Sequence, residues 1–115
     1  MTDSASPEPA AASDDQVKQP GQCADMTDVR MGVDAVDAAL MSLLAVRLGY
    51  MRAAARIPEE KGAVRDEARK AEVIDNALNM ARGMGVPDAL VAELWDRLIE
   101  GSIAYEMDEW ERLRG

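Results

Sequence analysis

Apolar residues recur at intervals of three and four between residues 29 and 55, a spacing typical of one face of an α-helix. Either Thr27 or Asp28 can serve as the N-cap, and Pro58 is expected to stop the helix after about Ile57. The apolar positions are Val29, Val33, Val36, Leu40, Leu43, Leu44, Leu48, Met51 and Ala55. A helix of about thirty residues is roughly 45 Å long, too long for a compact globule of this size. A single chain would therefore expose the face, which favours a dimer in which two such helices pack along each other.

A second, shorter helix is predicted to begin at its N-cap, Asp66, and to run to about Arg82. Gly83 and Gly85 are expected to end it. Its inward-facing positions are Val73, Ile74, Ala77, Leu78 and Ala81.

A third helix, again long, is predicted to open at Pro87 and Asp88 and to reach nearly to Arg114. Its inward face comprises Val91, Trp95, Leu98, Ile99, Ser102, Glu106 and Trp110. Because no segment alternates between apolar and polar residues as a strand does, the sequence predicts an all-α fold of three helices.

The first 25 residues differ from the rest of the chain, since they are rich in proline, alanine and polar residues and poor in bulky apolar side chains. Such a segment buries too little apolar surface to offset its ordering entropy. We expect a disordered tail over residues 1–25 that is not a secretory signal, followed by a single helical domain over residues 26–115.

Composition excludes several classes of function. A net charge of −9 argues against nucleic-acid binding, and the absence of histidine excludes histidine-based triads and most catalytic zinc sites. The single Cys23 cannot form an internal disulfide and fits a reducing cytosol. No apolar run is long enough to span a membrane. A cytoplasmic protein without a bound metal is expected.

Each predicted helix carries a polar residue on or beside its apolar face. Arg47 stands between Val46 and Leu48, Arg69 lies in the second helix, and Ser102 and Glu106 project side by side from the third. Taken singly, each can be a boundary residue whose polar end reaches solvent. A guanidinium that is buried instead requires an anionic partner, which a ligand can provide.

From Cys23 onward the chain resembles the all-α, AroQ-type chorismate mutases, in particular the small subgroup that includes isochorismate-pyruvate lyase. The resemblance covers about 90 residues, in which the motifs keep the order and nearly the spacing of the family. The matching stretches are Cys23-Ala24-Asp25, Thr27-Asp28-Val29-Arg30, Leu43-Leu44-Ala45-Val46-Arg47-Leu48-Gly49-Tyr50, Ala53-Ala54-Ala55-Arg56-Ile57, Ala63-Val64-Arg65-Asp66-Glu67-Ala68-Arg69 and Leu98-Ile99-Glu100-Gly101-Ser102-Ile103-Ala104-Tyr105-Glu106.

The resemblance implies an intertwined homodimer with two active sites, each completed by Arg30 from the partner chain. It also implies that Arg47 grips a carboxylate of a small dianionic substrate, and that Glu106 lies against the reacting ether oxygen. Further substrate-binding residues, by the same resemblance, are Asp66, Arg69 and Ser102.

The chain departs from the family at two positions. The family places a lysine eleven residues after Arg47, where this sequence has Pro58. Lys61 and Arg56 are the candidates to take the place of that lysine. The alternative for Lys61 is that it is a solvated charge in the loop. Lys70 stands where the family often has an acidic residue that holds the substrate hydroxyl.

The resemblance therefore predicts a chorismate mutase, which rearranges chorismate to prephenate without a cofactor. Two related pericyclic reactions stay open, that of an isochorismate-pyruvate lyase and that of a mutase acting on amino-deoxychorismate. A helical dimer that has lost catalysis and acts in binding or regulation is the third alternative.

Overall fold

The computed structural model describes residues 16–57 and 60–115, and these ranges contain helices and no strand. The α-helices are α1 (Met26–Arg56), α2 (Glu67–Met84) and α3 (Asp88–Arg114), with short turns of 3-10 helix at Pro20–Gln22 and Lys61–Ala63. Their lengths of 31, 18 and 27 residues confirm the predicted all-α order of long, shorter and long helices. Pro58, the predicted stop of the first helix, lies outside the described residues. No helix in the described ranges is long and apolar enough to cross a membrane.

The chain divides into two compact units, Met1–Val46 and Arg47–Gly115, called here the N-terminal and the C-terminal unit. In the N-terminal unit, Asp25 caps α1, because its Oδ1 accepts a 2.9 Å hydrogen bond from the Asp28 amide. The helix thus begins at Met26, slightly earlier than predicted, and its N-cap is neither Thr27 nor Asp28.

Asp28 connects the segment that precedes α1 to the helix through hydrogen bonds. Its Oδ2 accepts hydrogen bonds from the amide of Ala24 at 2.9 Å and from Nζ of Lys18 at 3.1 Å. The bond from the Ala24 backbone, followed by the bond from Lys18, lowers the pKa of Asp28. Residues 1–15 of the predicted tail lie outside the described residues, and the domain boundary at residue 26 stays a prediction.

The apolar face of α1 within the N-terminal unit is exposed in the single chain. Six of the predicted positions leave more than a third of their surface accessible: Val29, Val33, Val36, Leu40, Leu43 and Leu44. Part of this face forms a groove of about 590 Å³ with the segment from Val17 to Cys23. Exposed apolar surface of this extent marks an interaction site.

In the C-terminal unit, α2 and α3 pack against each other through small side chains. Ala77, Ala81 and Val91 are buried, and Leu78 and Trp95 pack against them. The turn between the helices depends on Gly85, whose φ of 73° lies in the left-handed region that glycine adopts without steric penalty. This glycine is the C-cap of α2, whereas Gly83 lies inside the helix.

Arg114, near the end of α3, fixes the end of α1. Its guanidinium donates to the carbonyl oxygens of Ala55 at 2.8 Å and Ile57 at 2.9 Å, which are otherwise left open at a helix C-terminus. The guanidinium also stacks over the ring of Trp110, 4.6 Å from its centroid. Arg114 therefore joins the end of α3 to the end of α1.

Candidate active site

The C-terminal unit contains a cavity of about 170 Å³, called here the polar cavity, between the end of α1, the start of α2 and the middle of α3. Its walls are apolar, formed by Met51, Val64, Val73, Ile99 and Ile103. Its polar groups are Arg47, Asp66, Arg69, Lys70, Ser102 and Glu106. The structure thus brings together five of the residues that the sequence had nominated from three separate segments.

Arg47 and Ser102 are joined directly across this cavity. Arg47 Nη1 donates to Ser102 Oγ at 2.5 Å, and Ser102 Oγ in turn donates to the carbonyl oxygen of Leu98 at 2.7 Å. Ser102 is buried, with 4% of its surface exposed. Because a serine hydroxyl has one hydrogen, which goes to Leu98, its lone pairs face Arg47. Ser102 therefore holds Arg47, whose guanidinium has further N–H donors to offer a ligand.

Asp66 and Arg69 occupy the start of α2. The predicted N-cap is confirmed, since Asp66 Oδ1 accepts a 3.0 Å hydrogen bond from the Arg69 amide. The Arg69 guanidinium pairs with Glu72 at 2.7 Å, and both side chains are more than 60% exposed. An exposed pair one turn apart is weak, so that a ligand carboxylate can compete for this arginine.

A further cation, Lys70, lines the polar cavity, although it was not among the predicted site residues. Its Nζ contacts Asp96 Oδ1 at 2.9 Å and Glu100 Oε2 at 2.7 Å, and its side chain is 19% exposed. Hydrogen bonds to Glu100 and then Asp96 raise the pKa of Lys70, so that it is charged at neutral pH. One feature of the sequence could have indicated that Lys70 lines the cavity: it follows Arg69 directly and precedes Val73 by three residues, and both of these residues line the cavity.

Glu100 links Lys70 to the loop before α2. Arg65 donates to both of its carboxylate oxygens, from Nη2 at 2.6 Å and from Nη1 at 3.1 Å. The bonds from Arg65 and then from Lys70 lower the pKa of Glu100 to about 2. The carboxylate of Glu100 thus connects Lys70 on α2 with Arg65, which follows Val64 in the loop, in one hydrogen-bonded network.

Glu106 lies between two cavities. It lines the polar cavity and, together with Val64, also a second cavity of about 190 Å³ that Ala54, Ile57, Ala63 and Trp110 complete. Burial raises the pKa of Glu106, because desolvation disfavours the ionised carboxylate. The carboxyl group of Glu106 therefore keeps its proton to higher pH than an exposed glutamate, and only the protonated form can donate a hydrogen bond.

Three other cations that the sequence analysis assigned to the site do not line the polar cavity. Lys61 does not line the polar cavity, and its ammonium forms an ion pair with Glu111 on α3. Arg56 lines a separate cavity with Leu113 and Arg114. Arg30 belongs to the N-terminal unit, in the first turns of α1.

The polar cavity is lined by three cations, Arg47, Arg69 and Lys70, and by two carboxyl groups, Asp66 and Glu106. Arg69 and Lys70 pair with carboxylates that do not line the cavity, whereas Arg47 is bound to the neutral hydroxyl of Ser102 and is the cation best placed to meet an anionic ligand. Within the described residues, no group of histidine, cysteine or carboxylate side chains is arranged to hold a metal ion.

Comparison with known proteins identifies the family of the chain. The sequence model of chorismate mutase type II matches residues 29–107. The chain is also similar to the isochorismate pyruvate lyase of Pseudomonas aeruginosa, with 26% identity over 99 residues that cover 86% of this chain and 98% of that protein. The predicted family resemblance is confirmed.

Proposed function

Because the chain belongs to the chorismate mutase type II family, whose members are isomerases, we propose that its polar cavity binds chorismate and rearranges it to prephenate. One observation carries the proposal: Arg47, held by Ser102, faces the same small cavity as Arg69 and Glu106. A purely structural helical dimer would have no use for arginines that converge on a cavity, which argues against a chain that has lost catalysis.

The chemistry of the rearrangement suits these groups. It is a single pericyclic step, so it needs no nucleophile and no cofactor, only a site that holds the dianion in its compact conformer. Arg47 and Arg69 are placed to bind carboxylates, because a planar guanidinium meets a carboxylate through two hydrogen bonds. The protonated carboxyl of Glu106 would donate to the ether oxygen, on which negative charge develops as the C–O bond breaks.

We further propose that the active protein is a homodimer in which Arg30 of one chain completes the site of the other. The exposed apolar face of α1, from Val29 to Leu44, supports this arrangement, since a second copy of α1 would bury it. In that arrangement the partner chain's guanidinium supplies a further positive charge for the substrate dianion. The predicted cytoplasmic location fits a soluble metabolic enzyme of this kind.

Isochorismate-pyruvate lyase activity is the second candidate. It is favoured by the similarity to the Pseudomonas aeruginosa enzyme along 98% of that protein's length. The lyase reaction is also pericyclic and also uses a dianion of the same size, so the same arginines would serve it. A mutase reaction on an amino-substituted chorismate is the third candidate.

Incubating the protein with chorismate and with isochorismate in separate reactions distinguishes these activities. Formation of prephenate from chorismate above the uncatalysed rate supports the mutase. Salicylate and pyruvate in equal amounts from isochorismate would assign the lyase instead. Arg47→Ala, incubated in parallel, controls for a contaminating enzyme. If the protein forms neither prephenate nor salicylate at micromolar concentration, the proposed function is overturned.

A further inference from the structure

Arg65 connects the segment just before α2 to the middle of α3. Its guanidinium donates to both carboxylate oxygens of Glu100, from Nη2 at 2.6 Å and from Nη1 at 3.1 Å, and Nη1 also donates to Glu67 in the first turn of α2 at 2.9 Å. These side chains are partly exposed, and a single exposed ion pair contributes little to stability. Two hydrogen bonds from one planar guanidinium, however, define both the distance and the orientation of the pair. The contact therefore fixes the position of Arg65 relative to α3.

The residues on either side of Arg65 reach the site. Val64 and Asp66 both line the polar cavity, whereas Arg65 and Glu100 do not. Val64 also lines the second cavity of about 190 Å³, and Glu106 is likewise a residue of both cavities. Val64 thus lies beside Glu106 where the two cavities meet. Because Glu100 and Glu106 belong to the same helix, the contact with Arg65 attaches Val64 to the helix that carries Glu106.

We propose that Arg65, through its contact with Glu100, is a positioning residue that holds Val64 beside Glu106 and limits the access of water to the carboxyl group. The inference rests on the proposed function only for its consequence in catalysis. Burial is the cause that raises the pKa of Glu106, so a change in the hydration of this carboxyl is measurable as a change in its pKa. The pKa of Glu100 is about 2, so its pair with Arg65 stays ionised while Glu106 titrates.

The charges around Glu106 stay in place when Arg65 is replaced. Within the described residues, the other charged side chains that line the polar cavity are those of Arg47 on α1 and of Asp66, Arg69 and Lys70 at the start of α2. In the same part of the chain, Glu106 is the charged residue of the second cavity, whose other lining residues are uncharged.

Replacing Arg65 with glutamine has two effects of opposite sign on the pKa of Glu106. Loss of a positive charge by itself raises this pKa, because a nearby cation favours the ionised carboxylate. Entry of water lowers it, because desolvation of the carboxylate decreases. The sign of the change therefore distinguishes a positioning role from a purely electrostatic one.

The test follows the titration of the Glu106 side-chain carboxyl carbon by NMR in the ligand-free full chain, with the signal assigned by its absence from Glu106→Gln. The proteins are the wild type, Arg65→Gln, Arg65→Lys and Arg112→Gln. Arg112 is the matched control, because it also donates two hydrogen bonds to a glutamate, Glu109, but within α3, and neither residue lines the two cavities.

We expect Arg65→Gln to lower the pKa of Glu106, and Arg112→Gln not to lower it. Arg65→Lys keeps the charge without the planar pair of donors, so it should give a smaller decrease. With chorismate as substrate, Arg65→Gln should move the fall of kcat/KM to lower pH and reduce kcat/KM at neutral pH by roughly three- to tenfold.

An unchanged or raised pKa of Glu106 in Arg65→Gln would overturn the proposal, and so would an equal decrease in Arg112→Gln. If Arg65→Gln does not fold, Arg65→Lys decides by the same criterion. The titration needs no substrate, so the two proposals fail separately. A protein that shows the lowered pKa but forms no prephenate keeps this inference and loses the proposed mutase activity. One that forms prephenate while the pKa is unchanged keeps the proposed function and loses this inference.

Discussion

Arg47 on α1 and Ser102 on α3, 55 residues apart in sequence, share a 2.5 Å hydrogen bond in which the arginine donates. The serine's own hydrogen is directed to Leu98. The hydroxyl therefore orients the guanidinium and offers no hydrogen to a ligand. In this structure Ser102 connects Arg47 to α3, and its predicted contact with the substrate stays a prediction.

Replacing Arg47 with alanine should lower kcat/KM for chorismate by about 10²-fold or more, because a charge-assisted contact to the substrate is lost. The fold should persist, since Ser102 keeps its bond to Leu98. Steady-state kinetics and circular dichroism measure the two effects. Arg52→Ala is the matched control, as Arg52 lies on the same helix and bonds to Tyr105 instead. Unchanged kinetics for Arg47→Ala would refute the role of this arginine.

Mixed dimers test whether Arg30 acts across the interface. Arg30→Ala and Arg47→Ala should each be nearly inactive, whereas a heterodimer of the two would rebuild one intact site and regain up to about half of the wild-type activity per dimer. Differently tagged chains, purified through both tags, give the heterodimer for assay. If verified heterodimers stay as inactive as their parents, the two residues do not serve a shared site.

The pH dependence of the reaction should report on Glu106. Burial raises its pKa, so its carboxyl stays protonated to higher pH than an exposed glutamate. Because only the protonated form donates a hydrogen bond, kcat/KM should fall as pH rises through this pKa. Glu106→Gln is a neutral donor at every pH and should flatten the fall. Identical pH–rate profiles for the two proteins would remove Glu106 from the mechanism.

Glu100 should contribute to the acid stability of the fold. Its pKa is about 2 in the folded protein against an ordinary value of 4.5, so its stabilising effect is complete above about pH 4.5 and is lost as pH falls toward 2. Thermal unfolding followed between pH 6 and 2 should show a decline in Tm that is smaller for Glu100→Gln. Glu93→Gln provides a control on the same helix. Parallel Tm curves for Glu100→Gln and the wild type would contradict this assignment.

A charge placed on the apolar face of α1 should prevent dimerisation. Val36 is 58% exposed in the single chain, and Val36→Glu would put a carboxylate into the proposed interface. Sedimentation should then show a monomer, with loss of activity. Met80 on α2 is exposed to a similar degree, 59%, and Met80→Glu is the control. A wild type that sediments as a stable monomer at micromolar concentration would refute the dimer.

The helices were predictable because local signals set their ends. Asp66 was recognised as an N-cap from its place ahead of a helical pattern, and Gly85 as a C-terminal residue because glycine adopts positive φ. The start of α1 was predicted slightly late. Its N-cap, Asp25, is one of three residues of capping type between positions 25 and 28, with Thr27 and Asp28, and sequence alone does not show which of them caps the helix.

The residues of the polar cavity were predictable only where they matched the family motif. Arg47, Asp66, Arg69, Ser102 and Glu106 all line the cavity, as that match implied. The two candidates to replace the family lysine, Lys61 and Arg56, do not line the polar cavity. Lys61 was nominated because it is near Pro58 in sequence, yet its charge is paired with Glu111, fifty residues later. Lys70 lines the cavity although it was not among the predicted site residues, and its ammonium pairs with two acidic residues on α3.

If the exposed apolar face of α1 is a dimer interface, the activity per chain depends on the protein concentration. If each site borrows an arginine from a second copy, a lone chain has no complete site, and near the dissociation constant doubling the amount of protein more than doubles the number of working sites. Specific activity would then fall on dilution and recover on concentration. An inactive variant that still pairs would consume wild-type chains, so that a cell making both would lose more activity than the fraction of altered chains suggests.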